Sequence, residues 1–127
     1  MILDTSAIVA ILMGEPEAPR FAALIEDVDA PLVSAATVLE ASLVLGASRD
    51  TLLDEFLAIA DAQVVPVDAA QLAAARTAHR RFGRGSGSPA RLNYGDCFSY
   101  ALASVTGRPL LFKGEDFSHT DLQAAAP

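Results

Sequence analysis

Four apolar runs, each too short for a helix, recur along the chain, and no other feature restricts its fold as strongly. They are MIL (1–3), PLVSA (31–35), QVVPV (63–67) and RPLLF (108–112). Each is largely continuous in apolar residues instead of alternating with polar ones, the pattern of a strand buried on both faces. Longer segments with helical signals separate them. TSAIVAILM (5–13) has Asp4, Thr5 or Ser6 available as N-cap and Gly14 as terminator. Pro16 or Pro19 opens a second helix running through Val28. Residues 36–47 read as a helix that stops near Gly46. Residues 49–62 are amphipathic, with Leu52, Leu53, Phe56, Leu57, Ile59 and Ala60 on one side. Residues 69–82 are helical, 83–93 form a Gly/Ser/Pro loop, and Tyr94 to Thr106 form the last helix. Pro66 suits the end of a strand or a sheet edge.

Strands alternating with helices predict a parallel sheet joined by right-handed crossovers. The expected fold is α/β, an α/β/α sandwich with a short central parallel sheet of four or five strands. With 127 residues, 52% apolar and 20% charged, one domain over residues 1–127 with one aliphatic core is expected. In such sheets the working residues lie beyond the carboxyl ends of the strands. The single Cys97 excludes an internal disulfide and a cysteine zinc cage, and reads as a small hydrophobe beside Phe98. There is no positively charged leader and no apolar stretch of membrane-spanning length, so a cytoplasmic protein with no membrane association is expected.

The net charge of −7 opposes nucleic-acid binding if taken as an average. The distribution is uneven. Residues 1–68 carry twelve acids against Arg20 and Arg49, whereas residues 69–95 carry no acid and five arginines: Arg76, Arg80, Arg81, Arg84 and Arg91. These read as phosphate contacts for RNA beside a flexible loop, or as a solvated face paired with the abundant acids.

Single carboxylates stand where apolar elements begin or end. Asp4 directly follows the first strand and reads either as an N-cap or as a ligand. Glu40 lies in a helix apolar on nearly every side, which predicts a buried helix. An unpaired carboxylate there costs roughly several kcal/mol, so it needs a cation or a proton. No Lys or Arg lies between Arg20 and Arg49. Asp96 follows Asn93 by three residues, as in a variant capping box, or serves as a ligand. Asp116 follows the last strand, with Glu115 and Asp121 as neighbours in a polar turn. The expected fold brings Asp4 and Asp116 to one sheet edge. Clustered carboxylates repel unless a cation neutralises them. Hard oxygen donors select Mg²⁺ or Mn²⁺, and such a site suits phosphodiester hydrolysis by activated water, with ions roughly 4 Å apart where two are used.

Four blocks together carry a family resemblance: ILDTSAIVAIL, SAATVLEASLVL, LNYGDCFSYALA and PLLFKGEDFSHTDL. They resemble the PIN domain, and more closely the VapC-type toxin ribonucleases of bacterial toxin–antitoxin pairs, over essentially the whole chain. The resemblance implies that Asp4, Glu40, Asp96 and Asp116 are the catalytic, metal-binding acidic quartet of a Mg²⁺/Mn²⁺-dependent endoribonuclease. It implies that Ser6 orients the site beside Asp4 and that Asn93 holds the adjacent loop, with Thr5 flanking. It also implies a homodimer, a cognate VapB-type antitoxin covering the acidic pocket, and structured RNA such as tRNA or rRNA as substrate.

His79 and His119 read as surface residues, since neither has metal-ligand spacing to another His or Cys. Lys113 reads as a partner of the acidic cluster or as a group stabilising charge on a reacting phosphate. Two rival readings share the fold. One is a phosphoacceptor signalling domain using Asp68 and Lys113; the other is a catalytically inactive RNA-binding module.

Overall fold

Burial is what three of the four apolar runs accomplish in the computed structural model, which describes residues 1–127; the run at 63–67 instead forms an exposed sheet edge, with Val64 49% exposed, because no strand or helix covers its outer side. The strands are β1 (Ile2–Leu3), β2 (Leu32–Ser34), β3 (Gln63–Val65) and β4 (Leu110–Leu111). They form one parallel sheet in the order β3-β2-β1-β4. Successive side chains point to opposite faces. Thus Leu3, Val33 and Leu111 enter one core, while Ile2, Leu32 and Leu110 pack in the other. Removing a leucine or isoleucine side chain from water in this way contributes roughly 1.5–3 kcal/mol.

The first core is roofed by α1 (Thr5–Leu12), α2 (Ala18–Glu26), α3 (Ala35–Leu45) and α4 (Asp50–Ile59). The second is covered by α5 (Ala69–Phe82) and α6 (Tyr94–Thr106), which pack closely on each other. This is the expected α/β/α sandwich. Pro66 falls just after β3, which is an edge strand. The count of four or five strands resolves into four plus a fragment. The C-terminal segment bridges β4 at Ala124, with the Leu110 amide donating to the Gln123 carbonyl at 2.9 Å. No helix is long and apolar enough to cross a membrane.

Three expectations change. α3 is not a buried helix: only Thr37, Ala41 and Leu45, spaced by one turn, are buried, and Leu39, Leu43 and Val44 are exposed. The helix lies at the rim of its layer and packs one stripe; an all-apolar sequence marks no preferred face. In α4 only Leu53 is buried, and Leu52 and Ile59 face solvent for the same reason. The 83–93 loop is tied down instead of hanging free. Gly83 bridges Leu92, the Ser86 hydroxyl donates to the Gly83 carbonyl at 2.6 Å, and Ala90 and Leu92 plug the second core.

Strand order places the site. β1 lies between β2 and β4. Helices α1 and α2 leave β1 over one face, and α5 and α6 lead into β4 over the other. A crevice therefore opens beyond the carboxyl ends of β1 and β4, the usual ligand position in such a sheet.

Candidate active site

Asp4 occupies that crevice because its backbone ends β1 while its side chain starts α1. As N-cap it accepts from the Ser6 amide at 3.0 Å and the Ser6 hydroxyl at 2.6 Å, both through Oδ2. Its two sequence readings are therefore compatible: capping uses Oδ2 and leaves Oδ1 turned inward. There the buried Ser99 hydroxyl donates to Oδ1 at 2.6 Å. Ser99 in turn lies 3.3 Å from the buried Thr37 hydroxyl. Ser6 also accepts from the Lys113 amide at 2.9 Å, tying the loop after β4 to the start of α1.

Glu40 projects from α3 toward the same point and accepts a hydrogen bond from the Thr5 hydroxyl. The carboxylate rests against the first turn of α6. A Cβ at Gly95 would overlap it, so the missing side chain at 95 makes the room that Glu40 occupies. Asp96 follows on α6. Asn93 caps that helix in a reciprocal box: the Asp96 amide donates to Asn93 Oδ1 at 2.9 Å, and the Asn93 amide donates to Asp96 Oδ2 at 3.0 Å. Asp96 Oδ1 takes no protein hydrogen bond. Partial burial pushes the Asp96 carboxyl up to about 6. The Asn93 amide opposes this, and the charges of Asp4, Asp116 and Glu40 add to it.

Asp4, Glu40 and Asp96 line one cleft of roughly 470 Å³, together with Thr5, Ser6 and Asn93. Asp116 does not line it. It begins a short turn (Asp116–His119), is exposed, and reaches the cleft through its charge on Asp96. No three of the carboxylates stand close enough to form a ready coordination sphere. Like charges account for the spacing, and each acid of the cleft is held by its own donor: Ser6 and Ser99, Thr5, or Asn93.

None of these four acids forms an ion pair. The structure has three ion pairs, and the one cation lining the cleft, Lys113, is taken by Glu15, which also lines it, and by Glu17, at 3.2 Å each. Lys113 therefore pairs with acids, as one of its readings has it, but not with the quartet. Asp121 is also elsewhere: it accepts from Tyr100 at 2.8 Å and pairs with Arg81 at 3.2 Å. Burial first, then that bond to Asp121, pushes the Tyr100 phenol up to about 12. Asp68 caps α5 by accepting from the Gln71 amide and lies outside the cleft, so the phosphoacceptor arrangement of Asp68 with Lys113 does not assemble. Cys97 is half-buried, and burial, then Asp96, push its thiol up.

The lining carboxylates are hard oxygen donors, and the one lining cation, Lys113, is already paired with Glu15 and Glu17, so the donor chemistry of the residues present fits a divalent ion such as Mg²⁺ or Mn²⁺. The sequence reading missed Gly95, Ser99 and Thr37. A signal existed for two of them. Thr37 precedes Glu40 by three residues, and Ser99 follows Asp96 by three, so each lies on the same helix face as an acid.

Comparison with known proteins agrees in extent with the whole fold. Residues 1–122 match the PIN domain family. The chain is 49% identical to ribonuclease VapC30 of Mycobacterium tuberculosis over 99% of its length and 98% of that protein. It is 48% identical to ribonuclease VapC of Mycolicibacterium smegmatis, covering 98% of each chain. The crystal structure of Mycobacterium tuberculosis VapC20, described as a sarcin–ricin loop cleaving toxin, superposes with a TM-score of 0.77 at 16% identity, over 99% of this chain and 98% of that one.

Proposed function

The chain belongs to the PIN domain family, among its VapC ribonucleases, and from that premise we propose a metal-dependent endoribonuclease toxin that cuts structured RNA such as tRNA or rRNA. One PIN domain over residues 1–127 carries the whole activity. The observation behind this reading is the convergence of Asp4, Glu40 and Asp96 from the end of β1, α3 and α6 on one cleft, where none of the three is ion-paired because the lining Lys113 is taken by Glu15 and Glu17. Mg²⁺, or Mn²⁺ in its place, is the counter-charge such a cleft needs. Asp4, Glu40 and Asp96 would hold it, with Asp116 at the margin. A bound divalent cation lowers the pKa of water and screens the charge of a phosphodiester.

The protein's own groups do the rest. Ser6 and Ser99 fix both oxygens of Asp4, and Thr5 fixes Glu40. Asn93 orients Asp96 through Oδ2, so Oδ1 is the acceptor facing the cleft. In the reaction a water oxygen bonds to phosphorus as the P–O bond to the leaving nucleoside breaks. The water proton passes to Asp96 Oδ1, and the leaving oxygen takes a proton from solvent. No covalent enzyme intermediate is required.

Family membership supports a small VapB-type antitoxin as partner and a cytoplasmic site of action. The exposed apolar strip on α3, where Leu43 is 75% exposed, supports a homodimer through that helix. Leu43→Glu should then yield a monomer by light scattering; an unchanged mass would remove α3 from the interface.

The test of function is to offer total cellular RNA to the pure protein with Mg²⁺, Mn²⁺ or chelator, beside Asp96→Asn, and to map new 5′ ends. Discrete ends in the metal lanes alone are expected. Equal products in every lane defeat the proposal. Metal-independent RNA binding without cleavage would favour an inactive RNA-binding module instead.

A further inference from the structure

A second concavity, larger than the acidic cleft at roughly 790 Å³, opens between α5 and the start of α6. Its wall is basic. Arg76 and Arg80 stand one turn apart on α5, and Arg84 follows on the tied-down loop. All three are exposed, and none belongs to any of the ion pairs. In a chain of net charge −7 such arginines have acids available yet are held away from them. Arg81, turned about 100° round the same helix from Arg80, is the one that pairs, with Asp121. The floor is aromatic. Tyr94 is 82% exposed and braced edge-on against Phe98, ring centroids 4.9 Å apart at 82°. Asn93 lines both this groove and the acidic cleft, so the two are adjacent.

We propose that this groove binds the single-stranded segment of the RNA adjoining the cut, with Arg76, Arg80 and Arg84 on successive phosphates and one base stacked on Tyr94. The proposal rests on the ribonuclease reading and adds where the strand lies. Unpaired arginines supply sequence-independent phosphate contacts. An exposed aromatic ring beside them offers a stacking platform that a base can reach only when it is unstacked from its neighbours, as in a loop. Phe98 limits the motion of Tyr94, which reduces the ordering cost of that contact. Asn93 then places the next phosphate at Asp96, whose helix it caps.

The experiment measures fluorescence anisotropy of labelled oligouridylate and oligoadenylate, and of their duplex, on Asp96→Asn protein in chelator across a KCl series. Single strands should bind more tightly than duplex. Replacing Arg76, Arg80 and Arg84 together by Ala should lower the slope of log K against log salt by roughly 2, at about 0.7 per phosphate contact. A charge-matched variant at Arg20, Arg49 and Arg108 should change it less. Tyr94→Ala should weaken single-strand binding roughly 5- to 150-fold with the slope unchanged, and Tyr94→Phe should restore it. If the wild type cuts RNA while the arginine variant keeps its slope or Tyr94→Ala keeps its affinity, the groove assignment falls and the ribonuclease reading stands. If the wild type neither cuts nor binds RNA, the ribonuclease reading falls and takes the groove with it. If polyglutamate, but not RNA, loses affinity in the arginine variant, the groove serves an acidic protein partner and the proposal is overturned.

Discussion

The acidic cleft and the basic groove meet at Asn93 and are built by opposite means. The cleft draws Asp4, Glu40 and Asp96 from three elements far apart in sequence. The groove draws most of its wall and floor from the continuous stretch 72–98. In the cleft every acid of the lining trio has a hydrogen-bond donor and none has a cation. In the groove Arg76, Arg80 and Arg84 pair with no acid of the fold and remain open to an outside anion. The difference separates two tasks. Holding like charges together needs a rigid shell, whereas contacting phosphates needs only available charge on a firm surface.

The largest effect should separate the two regions outright. Asp96→Asn is expected to lower cleavage roughly 10³-fold, the scale of losing a positioned proton acceptor. RNA affinity through the groove should hardly change. The same variant has a stability signature. Because Asp96 titrates near 6 when folded and near 3.8 as a free side chain, the folded state binds the proton more readily than the unfolded one. The penalty for the charged form is thus full above pH 6 and fades as pH falls toward 4. In chelator, Asp96→Asn should raise stability by roughly 1 kcal/mol at pH 7.5, discounted for partial solvent exposure. That gain should vanish near pH 4 in urea titrations. A pH-independent difference would show that burial and the neighbouring acids do not raise the Asp96 carboxyl.

Gly95→Ala comes next. The new methyl meets the end of a flexible side chain, so Glu40 swings aside and the helix keeps its packing. Cleavage should fall roughly 10²-fold from the displaced carboxylate. The melting temperature should hold or rise, since alanine is favoured over glycine in a helix by about 1 kcal/mol. A loss of stability with activity intact would break the claim that Glu40 works from that position.

Ser99→Ala sits between site and core. It leaves a buried Asp4 oxygen without its donor, at a cost of roughly 1–3 kcal/mol in denaturant unfolding. Cleavage should fall while RNA affinity through the groove is retained; equal loss of both would mean the substitution merely unfolds the domain. Lys113→Ala should matter least. Its pairs with Glu15 and Glu17 are partly exposed and worth roughly 0–1 kcal/mol. Freeing those two acids at the rim should weaken RNA binding slightly, most visibly at low salt.

The sequence determined the sandwich, because short apolar runs alternating with longer helical segments can pair only as a parallel sheet covered by those helices. Asp4 after β1, Asn93 with Asp96, and Gly46 after α3 are all local signals that hold in the fold. The cleft acids were legible as types, since isolated carboxylates in apolar surroundings need a partner. Burial was less so: α3 and α4 are apolar around most of their circumference, and periodicity cannot choose a face when every face is greasy. Only the tertiary structure decided that Ser99 reaches Asp4 and Thr37 reaches Ser99, that Gly95 makes room for Glu40, that Asp121 turns away to Tyr100, and that Asp116 stays at the margin. Those contacts join residues 21 to 95 positions apart, and such distances depend on how helices pack across a sheet, which no local pattern encodes.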